Sequence, residues 1–176
     1  MKIFMAFFAS LFFLTGCHNA ETQIPAVREL DIEKYMGKWY EFARMPNWFE
    51  KNMVNVTALY FLNPDGRIKV VNRGEKYGKL KSITGTARKA GKNSDGELEV
   101  SFFPPFYSPY RIIMLAEDYR FSVVSGKDTK YLWILSRSAE LSPEDREKIF
   151  SFLKKYDLPV EKLIYPQQKN NLSIQQ

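Results

Sequence analysis

A chain of 176 residues, 45% hydrophobic and 15% aromatic, has the material for one domain with its own apolar core. Its single cysteine excludes an internal disulfide, so that core must hold the fold unaided. A net charge of +6 at pH 7 asks for an acidic partner, either nucleic acid or an anionic membrane surface.

In chain order, MKIFMAFFASLFFLTG (1–16) sets one lysine before an apolar run from residue 3 to residue 14. The run is too short to cross a bilayer, which takes about 20 apolar residues, and it reads as a secretory signal. Leu14-Thr15-Gly16-Cys17 resembles the lipobox of bacterial lipoprotein signals. The resemblance implies cleavage before Cys17 and lipidation of that residue. His18 follows, not the aspartate associated with inner-membrane retention, so the same resemblance implies the outer membrane. A single acyl chain anchors only marginally, which fits a multiply acylated (palmitoylated) cysteine. An exported chain meets no genome, so no nucleic-acid partner is expected.

HNAETQIPAVR (18–28) has little apolar periodicity and reads, with Cys17, as a tether. Eight short runs rich in β-branched and aromatic residues follow: 37–44, 55–62, 67–73, 81–89, 97–103, 110–116, 119–126 and 130–137. Turn signals separate them. In Asn63-Pro64-Asp65-Gly66 the proline presets φ and the glycine accepts a positive φ. Eight closely spaced strands with short connections predict an all-β antiparallel up-and-down barrel, which leaves no exposed edge. One helix is expected next, with Ser142 as N-cap, Pro143 in its first turn and an apolar stripe of Ile149, Phe152, Leu153 and Tyr156 facing the barrel's outside. VEKLIY (160–165) suggests a short ninth strand, and QQKNNLSIQQ (167–176) a disordered tail. The barrel domain is thus expected over residues 29–166.

At this point the chain resembles the lipocalin family, and its bacterial, lipid-anchored branch in particular. Gly37-Lys38-Trp39 matches the family's Gly-x-Trp motif. Glu117-Asp118-Tyr119 resembles Thr-Asp-Tyr with glutamate for threonine, and Arg137 matches the arginine of the third motif. The resemblance implies structural roles for these residues. Trp39 would lie across the closed end of the barrel under the Arg137 guanidinium, a contact worth about 0.5–2 kcal/mol. Asp118 and Tyr119 would form a turn at that end.

Strand alternation sends every second side chain inward, and aligning each strand to the family sets the parity. The lining is then Val56, Ala58 and Tyr60; Ile68, Val70 and Asn72; Ile83, Gly85 and Ala87; Leu98, Val100 and Phe102. Tyr110, Ile112 and Met114 follow, then Phe121, Val123 and Ser125, and finally Tyr131, Trp133, Leu135 and Arg137. Mostly apolar walls with a few polar anchors suit a small-molecule site. At about 0.8 kcal/mol per buried methylene, fatty acids and lysophospholipids are the expected ligands. Arg44, Lys51, Arg67 and Lys79 are candidate headgroup attractors at the open end. The 45–53 loop carries Trp48 and Phe49, as a lid, a membrane contact or plain packing.

No cofactor, metal site or catalytic residue is expected. The one histidine sits in the tether, and no Gly-x-Ser-x-Gly elbow, phosphate loop or zinc-ligand set occurs. Two alternatives stay open: an envelope lipid hydrolase using the inward carboxylate Glu41, and a structural lipoprotein with a packed barrel. The resemblance further implies a periplasm-facing domain, lipid storage or transport for membrane upkeep, and the possibility of a homodimer paired through open ends.

Overall fold

The computed structural model describes residues 24–91 and 95–169. The expected signal, Cys17, His18 and residues 170–176 lie outside the described residues. Eight antiparallel strands follow one another around a closed barrel: β1 (Gly37–Arg44), β2 (Met53–Leu62), β3 (Ile68–Lys76), β4 (Lys79–Lys89), β5 (Glu97–Phe103), β6 (Phe106–Leu115), β7 (Phe121–Ser125) and β8 (Leu132–Ser136). Each strand pairs with its sequence neighbour, and β1 closes on β8. The connections alternate between two rims. The β2–β3 and β6–β7 turns lie at the end where β1 starts. The 45–52 loop and the β3–β4, β5–β6 and β7–β8 connections lie at the other end.

A four-residue helix, α1 (Ile32–Tyr35), precedes β1 and was not foreseen from sequence. Asp31 caps it, accepting from the Glu33 and Lys34 amides. The later helix, α2 (Pro143–Lys155), has the expected cap: Ser142 Oγ accepts from the Asp145 amide at 3.1 Å. Ile149 and Leu153 are fully buried against the outside of the barrel. Asp145 adds a polar tie, its carboxylate accepting from Arg120 Nη2 at 2.7 Å. The expected ninth strand reduces to a single bridge, Ile164 with Arg44, after a 3-10 turn at Val160–Lys162.

Packing extends past both expected domain boundaries. Ile24 is buried, and the Val27 amide donates to the Ile112 carbonyl at 2.9 Å. At the other end, Gln167 O accepts from the Asn55 amide at 2.8 Å, and Gln168 Nε2 donates to the carbonyls of Glu41 and Val56.

Two apolar cores result, one inside the barrel and one between the barrel wall and α2. β-Bulges decide which side chains join which. A bulge adds one residue to a strand and so exchanges the two faces beyond it. In β6 the register shifts between Ile112 and Met114. Ile112 therefore points inward, whereas Met114 points outward. In β7, Ser122 pairs with Leu135 and Val124 with Trp133, so Ser122 and Val124 face the lumen. Met114 and Phe121, expected in the lining, instead pack in the outer core beneath α2. Val123 joins that core, and Ser125 shares its outward parity.

Candidate functional site: the barrel lumen and its mouth

The lower lumen is sealed by residues of the three motifs. Trp39 is fully buried, and its Nε1 donates to the Tyr35 carbonyl at 2.8 Å. Arg137 stacks on the indole at 3.8 Å. Its guanidinium donates to the carbonyls of Lys38 at 2.9 Å and Lys34 at 2.6 Å. Gly37, at φ +91°, lies where an added Cβ would stand 3.5 Å from Arg137 Nη1. Tyr119 closes the ring, its hydroxyl accepting from the Asp31 amide at 2.8 Å. Asp118 pairs with Arg120 at 2.9 Å in the β6–β7 turn. A hollow of about 380 Å³ between Lys34, Asp118, Tyr119 and Arg137 is the outer face of this plug, not the lumen.

Above the plug stands a tyrosine cluster that sequence reading only partly anticipated. Tyr35 hydrogen-bonds Tyr110 at 2.8 Å and Ser122 at 3.2 Å, and Tyr60 bonds Tyr110 at 2.9 Å. Burial pushes the Tyr35 phenol up to about 12 and raises Tyr60 and Tyr110 as well, so all three are neutral donors and acceptors. Tyr35, Ser122, Val124 and Leu115 belong to the interior and were missed. A four-residue helix shows no period, and the β6 bulge leaves no mark in composition.

Nearer the mouth the interior is less full. Ala58, Asn72 and Ile83 pair across β2, β3 and β4 on the inward face. Ala58 and Asn72 are half-buried, and Ile83 is 39% exposed although it faces the lumen. Asn72 Oδ1 is buried with no hydrogen-bond partner among the described residues. Gly85 leaves no room for a side chain, since an added Cβ would meet the Phe102 ring at 2.7 Å. Val70 and Ile112 are buried in the inner core, Phe102 and Trp133 are half-buried beside it, and Val56 is buried next to Gly74. Of the twelve residues expected to line a ligand, all but Met114 and Phe121 face inward.

At the β1–β8 side of the mouth lies a buried ionic cluster. The register shift between Glu41 and Ala43 turns Arg44 inward beside Trp133. Arg44 Nη1 donates to Glu41 Oε1 at 2.5 Å and Nη2 to the Glu50 carbonyl at 2.6 Å. Its Nε, 3.9 Å from Glu50 Oε2, has no hydrogen-bond partner among the described residues. Glu50 Oε2 also accepts from Trp133 Nε1 at 2.9 Å and from Asn47. Arg44, expected as a free rim cation, is therefore 2% exposed and committed to this cluster. Arg67, expected beside it, stands in the β2–β3 turn at the closed end. Glu41 points inward as expected, and its partner is Arg44. Among the described residues, no group of three or more His, Cys, Asp and Glu side chains is placed to hold a metal.

Two carboxyls share one guanidinium here. Burial, reinforced by the nearby Glu50 and only partly offset by Arg44, raises the Glu41 carboxyl to about 8. Between about 4.5, its ordinary value, and 8 the folded chain keeps a proton that the unfolded chain releases. Stability therefore falls as pH rises through this window, by up to roughly 1.4 kcal/mol per pH unit. The depressed carboxyls of Asp118 and Asp145 act in the opposite sense, but below their ordinary value of 3.8. Thermal unfolding from pH 4.5 to 8 should show a declining Tm, and Glu41→Gln should flatten the profile.

The profile of the Lipocalin-like domain matches residues 30–168. The chain is 38% identical over 159 residues to outer membrane lipoprotein Blc of Vibrio cholerae, covering 89% of this chain and 93% of that protein. It is 37% identical to outer membrane lipoprotein Blc of Escherichia coli K12, over 82% of this chain and 83% of that one. Among solved structures, the cockroach allergen Per a 4 superposes with a TM-score of 0.68 at 24% identity, over 84% of this chain and 94% of its own, and shows the same fold. With the motif residues Gly37, Trp39, Asp118, Tyr119 and Arg137 assembled at one end of an eight-stranded barrel, the chain belongs to the lipocalin family.

Proposed function

We propose that this lipocalin stores or carries fatty acids or lysophospholipids in the upper lumen. It is held at the outer membrane by an acylated Cys17, with its domain on the periplasmic side, and serves membrane maintenance by binding without turnover. The observation that carries the ligand reading is the inward-facing but partly solvent-open wall around Ala58, Asn72 and Ile83. A packed barrel would have closed it. An acyl chain entering there gains about 0.8 kcal/mol per methylene buried, and the unpartnered Asn72 Oδ1 can accept from a hydroxyl or ammonium donor. The anchor reading draws on the lipobox and on the relatives' naming as outer membrane lipoproteins. Glu41 is engaged by Arg44, which leaves it unsuited to act as a free base.

The ligand reading is tested by uptake of cis-parinaric acid. Ile83→Trp should fill the wall and cut uptake severalfold. Thr84→Trp, one residue along and facing outward, should leave uptake unchanged. Equal uptake by both variants would refute lumen binding. For the anchor, mass spectrometry of the N-terminal peptide should find Cys17 acylated, and Cys17→Ala should release the chain from membranes.

A further inference from the structure

We infer that the mouth of the barrel is itself a docking surface for an anionic phospholipid bilayer. All four connections at this rim expose large apolar side chains. Trp48 is 79% exposed at the tip of the 45–52 loop, and Leu80 is 86% exposed just after the β3–β4 turn. Phe103 and Phe106 flank the β5–β6 turn, and Tyr131 ends the β7–β8 loop. Phe49 rests on Tyr131 and Trp133, with ring centroids 6.4 Å apart in each case, while Trp48 meets Phe49 edge-on and turns away from the barrel. The loop is therefore tied to the wall by Phe49 and Glu50, and its tryptophan is left outside.

The charges between these side chains are predominantly positive. Lys51, Lys79, Lys81, Lys127 and Lys130 are exposed around the rim, with Lys76 half-buried among them. The rim's acids are otherwise engaged. Glu50 is buried on Arg44 and Trp133, Glu75 pairs with Lys169 at 2.8 Å, and Asp128 caps the Lys130 amide. The far rim also exposes Phe61 and Leu62, but its charges are mixed, with Asp31 paired to Lys34, Asp65 to Arg67 and Asp118 to Arg120.

Aromatic rings interleaved with lysines match the headgroup layer of a bilayer. Tryptophan and tyrosine settle there, and each nearby lysine contributes on the order of 1 kcal/mol against anionic lipid. A second copy is the poorer occupant, because mouth-to-mouth pairing would set one ring of lysines against another. The chain's exit point is compatible with docking. Ile24 O accepts from Arg111 Nη2 at 2.7 Å, and Arg111 lies five residues along β6 from Phe106, roughly 17 Å. The segment from Cys17 to Ile24 spans at most roughly 24 Å, so an acylated Cys17 and the mouth can meet the same membrane. Only that last point rests on the anchor reading.

The test reconstitutes the full chain, extracted from membranes in detergent, into vesicles of brominated phosphatidylcholine with or without added phosphatidylglycerol. Tryptophan fluorescence should be quenched about twofold more when phosphatidylglycerol is present. Trp48→Ala should remove that increment. Lys79→Glu with Lys130→Glu, both at exposed positions, should reduce it to the level of phosphatidylcholine alone. Fluorescence indifferent to bromolipid would overturn the proposal. So would a doubled mass in ultracentrifugation with Trp48 shielded from both bromolipid and aqueous acrylamide, which would assign this face to a second copy. Because Trp48→Ala separates the share of Trp48 from that of Trp39 and Trp133, a failure here is distinguishable from failure of the anchor or of lipid uptake.

Discussion

Arg44→Ala is expected to destabilise the domain by about 3–5 kcal/mol, the cost of removing one partner from a buried ion pair. The reason is specific to this cluster. Arg44 is 2% exposed and serves Glu41 and the Glu50 backbone carbonyl at once. Without it, two carboxyls face each other in a site that water reaches poorly, and a buried carbonyl loses its donor. The penalty should be largest at alkaline pH, where Glu41 is pressed to ionise, and should shrink towards pH 5, where Glu41 holds its proton. Urea denaturation at both ends of that range measures it. The double variant Arg44→Met with Glu41→Gln, which removes the charge together with its partner, should recover much of the loss. If the single and double variants unfold alike, the cluster is held by packing and the ion pair contributes little.

Trp39→Ala should cost a comparable amount, about 3–5 kcal/mol for truncating a fully buried aromatic, and the loss of the Arg137 contact adds to it. Trp39 touches Tyr35 with ring centroids 4.9 Å apart, supports Arg137, and satisfies the Tyr35 carbonyl. Truncating it removes the floor of the barrel. Trp39→Phe keeps a ring for Arg137 and loses mainly the indole donor, so it should cost about half as much or less. Against a total stability of about 5–15 kcal/mol, the alanine variant should leave little folded protein, whereas Trp39→Phe should still give a measurable chemical midpoint. A near-neutral Trp39→Phe together with a severe Trp39→Ala would locate the effect in ring packing.

The strands and the second helix were legible because each has a periodic signature. Alternation with turn residues marks β1 to β8, and Ser142 with the Ile149–Leu153 stripe marks α2. Facing was legible only as far as the first bulge. Ile112 and Met114 are both apolar, two residues apart, and nothing in their side chains announces that the backbone between them takes an extra residue. The same holds for Arg44, which a bulge in β1 carries from the rim to the interior. Glu50 was missed for another reason: its role depends on the 45–52 loop folding back onto Trp133, a tertiary contact with no local pattern. Among the residues expected to line the lumen, those on the straight parts of β2, β3 and β4 face inward, as alternation and alignment predict.

The C-terminal segment described with the fold has a consequence for when the barrel can form. β1 pairs with β8, and Gln168 reaches back to the carbonyls of Glu41 and Val56 across the widening gap between β1 and β2. The contacts that shut the cylinder thus join the first strand to residues about a hundred positions later, and such closure is slow because the intervening chain must order first. No N-terminal fragment can complete the cylinder. The cylinder therefore stays open until β8 (Leu132–Ser136) is available to pair with β1.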